Sequence, residues 1–226
     1  MKKLLIIAIG LTFLFGLGIL SAEAIPYYPT DDTFVNKAFP DDNFDEHSNE
    51  LQLSDSYSTY WGRRKDYYRR IYLKFDLSDL TGMTITSATL YLYADPSGGD
   101  DVNLHRVTEH DWDEKTLTWN IQPDSGLVYI TSTYIDDSSG WKTWSGLESL
   151  VQGWVDGDYH NYGIVLECDM DRPSELGYAY FNDDEGGENR PYLDIEASAP
   201  IPEPTTLFLL GSGLIGLAGI GRRKFK

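Results

Sequence analysis

Eight consecutive residues constrain this chain more than any others: Arg70-Ile71-Tyr72-Leu73-Lys74-Phe75-Asp76-Leu77. Successive side chains of an extended strand point to opposite faces, so Ile71, Leu73, Phe75 and Leu77 share one side while Arg70, Tyr72, Lys74 and Asp76 share the other. The pattern recurs in Ser87–Tyr93, with Ala88, Leu90 and Leu92 directed inward and Thr89, Tyr91 and Tyr93 outward. Asp95-Pro96-Ser97-Gly98-Gly99-Asp100 reads as a turn, and Val102–Val107 as a third strand. Later strand candidates are Gly163–Glu167, Gly177–Phe181 and Tyr192–Glu196. Short alternating strands between turn residues predict an all-β antiparallel sandwich or barrel. One segment departs from period two: Leu147, Leu150, Val151 and Trp154 have helical spacing, predicting a single short helix that stops near Gly157.

The two ends of the chain follow different physics. Lys2 and Lys3, the apolar run Leu4–Leu20 and Ala22-Glu23-Ala24 have the layout of a signal peptide over residues 1–24, cleaved after Ala24; an uncleaved anchor is the alternative. At the other end, residues 197–204 form a linker that includes Pro202-Glu203-Pro204. Residues 205–226 form an apolar segment followed by Arg222-Arg223-Lys224. Its uncharged run is near the lower length limit of about 17 residues for a transmembrane helix. Glycines at 211, 213, 216 and 219 suit close helix approach, and the basic tail is expected on the cytoplasmic side. Pro-Glu-Pro, one hydrophobic span and a basic end, in that order, resemble the PEP-CTERM sorting signal. The resemblance implies an exosortase as partner, membrane attachment through the C-terminal helix before processing, and delivery from the envelope to the cell surface or extracellular matrix. A plain C-terminal anchor is the alternative.

With both ends set aside, the body at 25–196 has the length of one domain. From residue 25 to the linker the chain holds 12 basic and 34 acidic residues, a net charge of −22. Such a field repels nucleic acid and anionic lipid. A lone cysteine, Cys168, excludes an internal disulfide framework. Its setting in Ile164-Val165-Leu166-Glu167-Cys168 predicts a buried small hydrophobe.

The body also resembles the DNRLRE domain. The likeness runs through Tyr72–Ser78, Ile85–Tyr93, Val107-Thr108, Trp112–Asn120, Leu150–Trp154 and Asn189–Ile195. It implies a secreted, jelly-roll-like antiparallel β-sandwich, related to modules that bind polysaccharides, acidic ones among them. Trp112, Trp119 and Trp154 align with positions that look structural. Where the family tends toward a Ser-Arg-Glu motif, this chain has Phe181-Asn182-Asp183-Asp184-Glu185.

No nucleophile motif, phosphate loop or histidine pair at metal spacing occurs, so a non-enzymatic protein is expected. Paired carboxylates are common in so acidic a chain and do not mark a glycosidase by themselves. Calcium is a candidate cofactor, because Asp31-Asp32, Asp41-Asp42-Asn43, Asp169/Asp171 and above all Asp183, Asp184 and Glu185 place hard oxygen donors in expected loops. Solvated surface acids are the alternative. For sugar binding, pairing of the first two strands would set Arg70, Tyr72 and Lys74 beside Tyr91 and Tyr93, with Trp61 in the preceding loop. Arg63, Arg64, Lys65, Arg69, Arg70 and Lys74 are half of the body's twelve basic residues, which points to an anionic polysaccharide. The alternative is charge balance with ordinary cross-strand tyrosines. The expectation is therefore an exported, non-catalytic polysaccharide-binding sandwich. A matrix component or adhesin without a glycan ligand is the second reading, and a polysaccharide-degrading enzyme the third.

Overall fold

A computed structural model describes residues 24–45, 50–96, 99–168, 179–183, 187–199 and 211–212. Residues 1–23 of the expected signal peptide, Ala22 among them, lie outside these, as do Asp184 and Glu185 and, in the tail, Pro202, Glu203, Pro204, Arg222 and Arg223, whereas Ala24 is described. Among the described residues no helix is long and apolar enough to cross a membrane.

Those residues form eleven strands: β1 (Ile25–Tyr27), β2 (Pro29–Asn36), β3 (Glu50–Tyr60), β4 (Arg63–Phe75), β5 (Thr84–Pro96), β6 (Asp100–Arg106), β7 (Val128–Ile135), β8 (Gly140–Trp144), β9 (Ile164–Cys168), β10 (Ala179–Asn182) and β11 (Tyr192–Ser198). Helix α1 spans Glu148–Val155. Every pairing is antiparallel. In sheet A, β5 pairs with β11 and β10 along one edge and with β8 along the other, and β1 extends the sheet beyond β11. In sheet B, β4 pairs with β2 along one edge and with β3 and then β9 along the other, and β6 and β7 follow β9. Strand β3 belongs to both: Glu50–Leu53 pair with β10, and Ser54–Tyr60 with β4.

The alternation read from the sequence builds the core. Leu90, Leu92, Phe181, Leu193 and Ile195 of sheet A meet Ile71, Leu73, Phe75, Leu104 and Leu166 of sheet B in one buried cluster. The Trp144 indole crosses between the sheets and donates to the Val102 carbonyl at 3.0 Å. Helix α1 closes one end with Leu150, Val151 and Trp154, and Gln152 accepts from the Ile85 amide at 2.8 Å. The chain turns at Gly157, whose φ of 75° suits glycine. Cys168 is buried, and burial raises its thiol pKa well above the usual value.

The expected pairing of the first two strands is corrected. β4 and β5 lie in different sheets, because Leu77 and Leu80 plug the end of the core and the short 3₁₀ turn Ser78–Leu80 carries the chain from one sheet to the other.

Candidate functional site

The outer face of sheet B is roofed by the long connection between β6 and β7. Val107, Trp112 and Leu117 from that connection pack on Val35, Tyr72 and Val165, forming a second buried cluster. The Trp112 indole fixes the roof by donating to the Tyr162 carbonyl at 2.8 Å. Asn43 pins it further, donating to the carbonyls of Glu114 (2.6 Å) and Leu117 (2.8 Å).

Three residues expected on a sugar platform are therefore committed elsewhere. Tyr72 is fully buried, edge-on to Trp112, and donates to Gln122 Oε1 at 3.1 Å. Burial pushes its phenol pKa far up, so it stays neutral. Arg70 meets Glu167 at 2.7 Å, and Glu167 also meets His105 at 3.1 Å. Lys74 donates to the Trp112 carbonyl at 2.5 Å and pairs with Asp111 at 2.9 Å and Asp31 at 3.7 Å. Alternation put these three opposite the core correctly; it carried no sign that a loop would cover them.

Tyr91 and Tyr93 have a different setting. They lie on the outer face of sheet A, where register gathers aromatic side chains from three strands. Tyr91 stands opposite Tyr192, and the two rings stack at 4.7 Å and 5°. Tyr93 stands opposite Trp141 of β8, with the rings edge-to-face at 5.5 Å. Trp141 also meets Tyr192 at 5.4 Å and Tyr91 at 6.4 Å, yet remains 40% exposed. Tyr28 extends the row beyond Tyr192 at 6.5 Å and is 44% exposed. The Arg190 guanidinium lies 4.2 Å from the Tyr28 ring centre. Burial and the neighbouring Tyr91 raise the pKa of Tyr192.

Beside this row is a groove of about 610 Å³, lined by Glu50, Tyr93, Asp95, Ser139, Tyr180, Asn182 and Asn189. Register again explains the gathering: Tyr180 lies opposite Asp95, and Asn182 opposite Glu50. Ser139 donates to Asp95. Rings with open faces next to a trough of amides, carboxylates and hydroxyls can hold a ligand that is apolar on its ring faces and polar around its rim, as a sugar is.

Trp61 lies apart from this face. It forms, with Gly62, the two-residue loop of the β3–β4 hairpin, at φ values of 53° and 72°. It is 87% exposed. Below it Arg64 lies over Tyr57 at 4.3 Å and meets Asp66 at 2.5 Å, while Lys65 lies over Phe39 at 4.1 Å. For the metal expectation, Asp183 is buried directly after β10. Among the described residues no group of three or more His, Cys, Asp or Glu side chains could hold a metal ion.

Sequence reasoning did not single out Trp141, Tyr192, Tyr28 or the groove residues other than Tyr93. Tyr192 was within reach, as the outward first residue of an expected strand. Trp141 was not, because Lys142 and Trp144 are the inward residues of β8 and an inward lysine hides the alternation.

The strand directions also orient the site. Ile25 pairs with Ile195 and so lies level with Ala88, midway along β5, whereas Ser198 pairs with Thr84, so the C-terminal side of the domain leaves at the start of β5. Tyr91 to Asp95 lie farther along β5, roughly 25–35 Å away at about 3.4 Å per residue.

Two families match the chain: carbohydrate-binding module family 96 over residues 23–197, and the PEP-CTERM protein-sorting motif over residues 200–224. The chain is also 24% identical over 232 residues to a gellan lyase of Bacillus sp, an alignment covering 89% of this chain and 9% of that protein. The chain thus spans about a tenth of the length of this curated relative.

Proposed function

The chain belongs to carbohydrate-binding module family 96 and carries a PEP-CTERM sorting motif, and from that premise we propose that it binds polysaccharide at the cell surface on the outer face of sheet A, without cleaving it. The sorting motif marks the chain for export to the envelope and surface and for processing by an exosortase. Before processing, the C-terminal segment would hold the domain at the membrane. The observation that carries the reading is the row Tyr28–Tyr192–Tyr91–Trp141–Tyr93 with its adjoining groove, set away from the end that leads to the sorting motif. We read the two sheets as the jelly-roll-like sandwich that the resemblance implies. Similarity to part of a gellan lyase agrees with a polysaccharide ligand, and binding rather than turnover is our reading for this domain.

An acidic polysaccharide as ligand is a second reading, favoured by the hairpin that exposes Arg63, Arg64, Lys65 and Trp61. Calcium at the Asp183 segment remains a proposed brace, to be checked by adding calcium or chelator during thermal unfolding.

Affinity electrophoresis of residues 25–199 through neutral and acidic polysaccharides tests the function. Retention that Trp141→Ala removes, with no new reducing ends or unsaturated products, supports it. Absence of retention throughout, retention indifferent to Trp141→Ala, or release of product would overturn it.

A further inference from the structure

The β3–β4 hairpin runs on past the sheet that anchors it. From Asp55 opposite Tyr68 to Tyr60 opposite Arg63, no third strand among the described residues pairs with it. At about 3.4 Å per rung, its loop lies roughly 20 Å beyond Ser54 and Arg69, the last rung that adjoins another strand. Residues 57–65 carry Arg63, Arg64 and Lys65 and no carboxylate, which leaves the rest of the body at −22 − 3 = −25. Asp66, just below, is shared by Arg64 and Lys37. The separation exceeds two Debye lengths of about 8 Å each, so the loop acts as a local cation despite the acidic body. Trp61 heads it, 87% exposed and at a φ of 53°, a conformation that a bulky residue holds only at a cost.

The same chain carries a complementary surface. The β6–β7 connection holds Glu109, Asp111, Asp113, Glu114 and Asp124 against Lys115, a net charge of 1 − 5 = −4. Glu109 and Asp124 are exposed, and the Ser125 amide brings them together by donating to Glu109 at 3.3 Å. Ile121 of this connection is 55% exposed. A tryptophan among cations on one surface thus answers an isoleucine among carboxylates on the other.

We propose that the β3–β4 loop of one copy docks on the β6–β7 connection of a second copy, Trp61 against Ile121, with Arg63 and Lys65 facing Glu109 and Asp124. The two patches differ, so the contact is heterologous and extends into chains of domains unless a ring closes. A contact of this size is weak, and the sorting motif, by gathering copies at one surface, supplies the concentration it needs. The aromatic row on sheet A takes no part, so assembly and polysaccharide binding are independent.

Sedimentation velocity of residues 25–199, which hold the whole described core, reads the association in about 20 mM and about 500 mM sodium chloride. The average mass should rise with protein concentration at low salt and return to that of the monomer at high salt. Arg63→Glu with Lys65→Glu should keep the chain monomeric, and so should Glu109→Lys with Ile121→Lys. All four positions are exposed, so both variants should melt as the wild type does. An equimolar mixture of the two should associate again, because each reversed patch then meets its opposite. Trp61→Asn should weaken association about 10-fold, while Trp141→Ala leaves it unchanged. A monomer at every concentration in low salt, association indifferent to Arg63→Glu with Lys65→Glu, or a mixture that stays monomeric overturns the proposal. So does a monomer whose hairpin binds phosphatidylglycerol vesicles or polygalacturonate instead.

Discussion

Replacing Glu167 by glutamine should destabilise the domain without touching polysaccharide binding. Its carboxylate joins two sheet B neighbours, Arg70 at 2.7 Å and His105 at 3.1 Å. The side chains of Arg70 and Glu167 are only 12% and 16% exposed, so solvent screening is weak. Removing one partner of a buried pair typically costs about 3–5 kcal/mol. Asp124 at 3.8 Å retains part of the attraction for Arg70, and glutamine keeps one acceptor, which lowers the expected cost to about 2–3 kcal/mol. For a domain of this size each kcal/mol shifts Tm by about 2–4 °C, giving a fall of roughly 4–12 °C at pH 7. The loss should also depend on pH. Burial works to raise the Glu167 pKa, but the hydrogen bond from His105 and the charge of Arg70 outweigh it and hold the pKa below its usual 4.5. A depressed carboxylate contributes stability that is full above the unfolded-state pKa and fades as pH falls through the folded-state value. The gap between wild type and Glu167→Gln should therefore be widest at neutral pH and begin to close below about 4.5. Differential scanning calorimetry from pH 7 to pH 3 reads both quantities, and affinity electrophoresis reads binding. A Tm within 2 °C of wild type at pH 7, a gap that persists undiminished in acid, or lost retention at unchanged stability would refute the assignment of Arg70 and Glu167 to structure.

Tyr72→Phe should lower stability by about 1 kcal/mol through the lost bond to Gln122 and leave retention unchanged, as denaturant unfolding and affinity electrophoresis would register. Gly163→Ala should destabilise by more than 2 kcal/mol, roughly, because its φ is 83° and a Cβ there would collide with the Leu73 carbonyl; the readout is the unfolding midpoint. Trp61→Asn should raise stability by about 1 kcal/mol in the same assay, since asparagine tolerates the left-handed conformation that this tryptophan occupies at the hairpin tip.

The sequence carried the layers of this fold farther than their pairing. Period-two alternation marked β4 and β5 with the correct faces inward, β6 and β11 were located as strands, and 3.6-residue spacing marked α1. β3 escaped because its inward leucines, Leu51 and Leu53, give way to the polar run Ser54-Asp55-Ser56 as the strand passes from sheet A to sheet B. Long-range neighbours had no local signal at all. That β5 pairs with β8, β10 and β11 rather than β4 is decided by packing of residues up to about a hundred positions apart. The same limit split the expected sugar platform. Tyr91 and Tyr93 alternate outward on the open face of sheet A, while Tyr72 alternates outward beneath Trp112 and Leu117.

The central claim, that the outer face of sheet A is the ligand face, is tested most directly by nuclear magnetic resonance of aromatic ring signals in residues 25–199. The titrant is an oligosaccharide of whichever polysaccharide the domain retains. The largest shifts should fall on Trp141, Tyr93, Tyr91 and Tyr192, with Tyr72 and Trp112 unmoved. Shifts concentrated on Trp61 and Tyr57, or on Tyr129 and Tyr134 of β7, would place the ligand elsewhere and contradict the account.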